Sequence, residues 1–170
     1  MGRTMELSQE LVSLLGAAGL TFATAESCTG GSVSRAVTAV AGCSAVMLGG
    51  VVAYHNNVKS KVLGVPEDVI ARYGAVSAQV VEKMVIGVSS LLGAHCAVAT
   101  SGVAGPGGGT AEKPVGTVWV AVKVKDRVVT RLLQLSDKGR IQNIDTTVEM
   151  VLAMAVEEIK GACFCDKASV

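Results

Sequence analysis

Residues 20–41 read LTFATAESCTGGSVSRAVTAVA. LTFATA (20–25) is short, apolar and β-leaning, which predicts a buried strand. Gly30-Gly31 then opens a helix over 31–41, carried by Val33, Ala36, Val37 and Val40. Strand, glycine turn and helix in that order are the repeating unit of α/β architecture. Upstream, Leu7, Leu11, Leu14 and Leu15 give a helix over 6–18, ended near Gly16 and Gly19. Downstream, AVMLGGVVAY (45–54) is a strand interrupted at its glycine pair. Pro66 with Glu67 and Asp68 starts a helix that Gly74 stops. Ser77 caps the next, 78–92, with a stripe of Val81, Met84, Val85, Val88 and Leu92. HCAVATS (95–101) is a strand, 102–116 a Gly/Pro loop, and 117–125 with 127–135 a hairpin around Asp126. A last helix covers about 140–160. This order predicts an α/β fold, with helices on both faces of a mixed sheet. One domain over 5–161 is expected, with flexible tails at 1–4 and 162–170.

Composition narrows the function. A net charge of +1 offers no basic field for nucleic acid, and the five aromatic residues are scattered. No nucleic-acid partner is expected. No apolar run reaches membrane-spanning length, and the N-terminus lacks the form of a signal peptide, so a cytoplasmic protein is expected. The cysteines (28, 43, 96, 163 and 165) are odd in number and irregular in spacing, which reads as free thiols rather than a disulfide framework. The Cys163/Cys165 pair has no further ligands near it, and no metal is expected.

Three constellations could carry chemistry. In ESCTGG (26–31), Ser27 and Thr29 offer hydroxyls and Gly30 permits close approach at a helix start. Cys28 there is a possible thiol nucleophile, and an ordinary capped turn is the plain alternative. The second joins Ser44, Tyr54, His55, Lys59 and Lys61. A lysine kept neutral by burial can deprotonate a serine, and a tyrosine can relay the proton. Lys59 and Lys61, two apart, face different directions, so at most one serves a site. The third is Ser101-Gly102 with the glycine-rich loop to 109, followed by Arg140. It fits neither a Walker loop nor a dinucleotide fingerprint, but can hold a phosphate or carboxylate.

Taken together, TAESCTGG (24–31), VVAYHNNVKSKVLGV (51–65), GAVS (74–77), TSGVAGPGGGTAEKPVGTVWVAV (100–122) and Arg140 resemble the C-terminal domain of the competence/damage-inducible CinA family, which includes nicotinamide-mononucleotide deamidases. The resemblance covers nearly the whole chain. It implies a three-layer α/β/α sandwich without metal or organic cofactor; the apolar stripe of the last helix, separately, suits either the core or a homodimer seam. The resemblance implies hydrolysis of the carboxamide of nicotinamide mononucleotide to nicotinic acid mononucleotide and ammonia. It maps the nucleophile to Ser44, the base to Lys59 and a supporting tyrosine to Tyr54. Substrate contacts map to Ser27, Thr29, Gly30, Ser101, Gly102 and Arg140. Three positions depart from the family pattern: Cys43 and His55, where serine is usual, and Ile144, where a second arginine is usual. Other readings are a binding module without turnover and an amidase for another small amide.

Overall fold

The computed structural model describes residues 2–167. Its elements are α1 (Gly2–Ala18), β1 (Phe22–Glu26), α2 (Ser32–Thr38), a 3-10 turn (Cys43–Ala45), β2 (Met47–Val52), α3 (Asn56–Lys61), α4 (Glu67–Tyr73), α5 (Ala78–Leu92), β3 (Cys96–Gly102), β4 (Thr117–Val124), β5 (Arg127–Gln134) and α6 (Arg140–Lys167). The sequence expectation lacked α3. Residues 2–4, expected as a tail, form the first turn of α1, and 162–167 continue α6. Residues 1 and 168–170 of the expected tails lie outside the described residues.

The strands form one sheet in the order β2-β1-β3-β4-β5. β1 pairs in parallel with β2 and β3, while β4 runs antiparallel to both β3 and β5. The sheet is therefore mixed, as the hairpin predicted.

Alternation along the strands sorts two cores onto two faces. Phe22 of β1, Cys96 and Val98 of β3 and the valines of β4 pack with α1, α2 and α6. Ala23, Ala25, Ala97, Ala99 and Ala121 face α5 and the segment Leu63–Val65. Alanines on that face let α5 lie close to the sheet. The result is the three-layer α/β/α sandwich.

Chain direction positions the site. The path leaves β1 for β2 on one side and returns to β3 on the other side of β1. The connections after β1 and β3 therefore diverge and open a crevice at the carboxyl ends of the parallel strands, where ligands bind in such sheets. Among the described residues, no helix is long and apolar enough to cross a membrane.

Candidate active site

Ser27 follows β1 directly and sits at that crevice. Its N–H donates to Thr100 O at 2.9 Å, and its carbonyl accepts from Gly30 N at 3.1 Å. Gly30 and Gly31 both take positive φ, a conformation that glycine adopts without a steric penalty, and so turn the chain into α2. Lys59 arrives from the other side on α3. His55 caps that helix, its Nδ1 accepting from Asn57 N at 3.2 Å. On so short a helix Lys59 and Lys61 point apart, leaving Lys59 1% exposed and Lys61 in solvent.

Lys59 Nζ has three partners: Ser27 Oγ at 3.0 Å, Ala53 O at 2.9 Å and Tyr54 O at 3.2 Å. No carboxylate is among them. Burial lowers the lysine pKa from its ordinary 10.5, because the charged form loses water without gaining a counter-ion. A neutral amine has two hydrogens and one lone pair. As the ammonium, Nζ donates to all three; deprotonated, it would keep its two hydrogens on the carbonyls and turn its lone pair to the Ser27 hydroxyl.

The pair opens into a cavity of about 220 Å³ lined by Ser27, Cys28, Tyr54, Asn56, Lys59, Ala75, Val76, Ser101, Gly102, Ala104 and Arg140. Ser101 Oγ donates to Ala75 O at 2.8 Å, tying the end of β3 to the turn before α5. Gly102 packs so tightly on β4 that a Cβ would lie 2.8 Å from Thr117 O. At the rim, Arg140 donates to Gly105 O at 2.9 Å and to the Tyr54 hydroxyl at 3.0 Å.

Ser27, Tyr54, Lys59, Ser101, Gly102 and Arg140, all expected at a site, thus share one cavity. Three expectations need correcting. Ser44 does not meet Lys59. It lies exposed in the 3-10 turn before β2, whereas Lys59 follows β2. The six residues of β2, at about 3.3 Å each, put roughly 20 Å of strand between the two ends. Tyr54 meets Lys59 through its carbonyl, and its hydroxyl lies with Arg140 instead. Thr29 and Gly30 do not line the cavity. Thr29 is 2% exposed and bonds Glu26 Oε2 and Thr100 Oγ1.

The thiol alternative also weakens. Burial pushes Cys28 up from 9.0 to about 12, so it stays protonated at neutral pH. Sequence reading missed Asn56, Ala75, Val76 and Ala104 as lining residues. No chemical signature marks them, and only the packing of α3, α4 and the 103–116 loop brings them in.

A mixed α/β/α domain with a buried serine–lysine pair at its switch point defines the class. Residues 4–159 match the CinA C-terminal domain, and the chain belongs to that family. The Enterobacter agglomerans protein named nicotinamide-nucleotide amidohydrolase PncC is 50% identical over 160 residues, covering 94% of this chain and 98% of that protein. A CinA-like protein of Cytophaga hutchinsonii is 48% identical over 82% of this chain, which spans only 33% of that protein. The chain thus matches both a protein of its own size and about a third of longer relatives. The crystal structure of a competence/damage-inducible protein from Agrobacterium tumefaciens superposes with a TM-score of 0.90 at 40% identity, covering 92% of this chain and 96% of that one.

Proposed function

We propose that this chain is a serine amidohydrolase that converts nicotinamide mononucleotide and water to nicotinic acid mononucleotide and ammonia. The observation that carries the mechanism is the 3.0 Å contact between Lys59 Nζ and Ser27 Oγ, with both carbonyl partners of the amine in place. The relative named for this class of reaction, matching 94% of the chain, supports the substrate.

Neutral Lys59 takes the Ser27 proton as Oγ attacks the carboxamide carbon. The C–O bond forms and the carbonyl π pair moves to oxygen. Lys59 then returns its proton to the amide nitrogen as the C–N bond breaks, and ammonia leaves. A water gives its proton to Lys59 and adds to the acyl-serine. Collapse breaks the bond from the acyl carbon to Ser27 Oγ, Lys59 returns its proton to Oγ, and the acid leaves and ionises in water. Arg140, at the rim and already oriented by Gly105 O and Tyr54, holds the 5′-phosphate.

Ammonia release from nicotinamide mononucleotide, nicotinamide riboside and nicotinamide tests this. Turnover of the mononucleotide alone is expected. Turnover of the riboside with equal efficiency would sink the phosphate role, and tight binding without turnover would sink the reaction.

A further inference from the structure

We propose that Glu26 is a positioning residue, whose buried carboxylate holds the turn that aims Ser27 at Lys59. This rests on reading Ser27 as the nucleophile. Glu26 ends β1, is wholly buried and does not line the cavity, so it touches neither substrate nor Lys59. Among the described residues it has no ion-pair partner. Its oxygens instead accept four hydrogen bonds: Oε2 from Thr29 Oγ1 at 2.6 Å, Gly31 N at 3.1 Å and Val33 N at 2.9 Å, and Oε1 from Ser34 N at 2.8 Å. These donors span the chain from two to seven residues past Ser27. One side chain thereby fixes the whole reversal from β1 into α2.

A neutral residue does this poorly. A carboxylate is all acceptor, with about four lone-pair sites, and here four donors are met. The isosteric amide would turn one end into a donor facing N–H groups. The network continues beneath the turn, since Thr29 Oγ1 also bonds Thr100 Oγ1 at 2.8 Å and the Ser34 hydroxyl bonds Thr24 Oγ1 at 2.5 Å. Thr100 is also the residue whose carbonyl holds Ser27 N. Ser27 is thus pinned to β3 on one side and to the Glu26 carboxylate, through the turn, on the other. Lys59 reaches it from a separate element 32 residues away. Reactive geometry between such groups is sensitive, and a misplacement of about 1 Å can cost about a hundredfold in rate.

The test is Glu26→Gln in the full chain, read four ways. These are melting temperature, kcat and KM for ammonia release, the pH midpoint of kcat, and the rate at which a fluorophosphonate labels Ser27, located by mass spectrometry. We expect kcat and labelling to fall at least about tenfold, with KM within about twofold and the pH midpoint unmoved, as for loss of alignment alone. Thr29→Val, which removes one of the four donors, should give a smaller fall in the same two rates. Folded Glu26→Gln with wild-type rates would reduce Glu26 to a stabilising residue and overturn the proposal. So would a rate restored in full by raising the pH, which would assign its effect to charge on Lys59. If Glu26→Gln does not fold, wild-type rates in Thr29→Val overturn it. Wild-type labelling at Ser27 without ammonia release would sink the proposed substrate alone, and the labelling ratio would still decide Glu26. Wild-type labelling away from Ser27 would sink the nucleophile and this proposal together.

Discussion

A neutral primary amine has one lone pair, and in deprotonated Lys59 the two carbonyls that accept from Nζ would leave that pair facing Ser27. Two results follow if the amine is the base. The rate should rise with pH through the lowered Lys59 pKa, since only the deprotonated amine can accept the serine proton, with its midpoint below 10.5. A pH–kcat profile from 6 to 10 reads it, and a flat profile would remove Lys59 from the chemistry. Lys59→Met should cost at least about a thousandfold, comparable to losing a member of a catalytic unit. The nucleophile separates as cleanly. Ser27→Ala should cost as much as Lys59→Met, whereas Ser44→Ala, on an exposed turn at the other end of β2, should stay within about twofold of wild type, as a surface change remote from the site. Initial rates on the two serine variants decide between them. Spacing said only that at most one of Lys59 and Lys61 serves a site, and the family resemblance pointed to Lys59. Its serine was not legible, because the contact spans 32 residues and depends on strand order, which no local pattern carries. Ser44 took the role from the mapping of the family's serine–lysine arrangement, which strand order does not support here.

The element that brings Lys59 in is also the one the pattern hid. α3 has six residues and little apolar stripe, with Val58 half-buried and Lys59 itself buried, so periodicity gives no helical signal. The longer elements were readable because each buries a full face. α5 runs over Ala78–Leu92, with Ser77 accepting from Val80 N at 3.3 Å as its cap, in agreement with the Ser77 start and the valine stripe. α5 also shows how close the layers lie. A Cβ at Gly87 would sit 2.0 Å from Leu63 O, so helix and segment meet backbone to backbone. Leu63 and Val65 in turn form part of the core behind α3. Gly87→Ala should therefore force α5 off this segment, destabilising the protein by about 1–3 kcal/mol as other overpacked cores are. Urea unfolding measures it, and an unchanged midpoint would mean the interface can yield without cost. Gly16, inside α1 and with nothing near its missing Cβ, is the matching control, where alanine should cost nothing.

For the molecule as a whole, the surface charges say little about stability. Arg3–Glu149, Lys160–Glu10, Arg127–Glu158 and Arg131–Glu157 tie α6 to α1 and β5, but each has at least one well-exposed partner and such pairs contribute little. Stability between neutral and alkaline pH is instead governed by buried groups that titrate there, and they oppose one another. Lys59 has a lower pKa folded than unfolded. Below 10.5 the unfolded chain holds more of that proton, so this group makes stability rise as pH rises towards 10.5. Cys28 and Cys96 are raised by burial from 9.0 to about 12 and about 11. Above 9.0 the unfolded thiols ionise first and the folded ones keep their protons, so this pair makes stability fall. The free energy of unfolding should therefore climb as pH rises through the lowered Lys59 pKa towards 10.5, and be pulled back above 9.0 by the two thiols. Lys59→Met should flatten the climb and keep the fall, while Cys28→Ala with Cys96→Ala should keep the climb and weaken the fall. Urea titrations at pH 7, 8, 9 and 10 on the three proteins separate these limbs. A climb that survives Lys59→Met would show that the buried amine does not carry the proton linkage assigned to it, and would count against the same amine as the base.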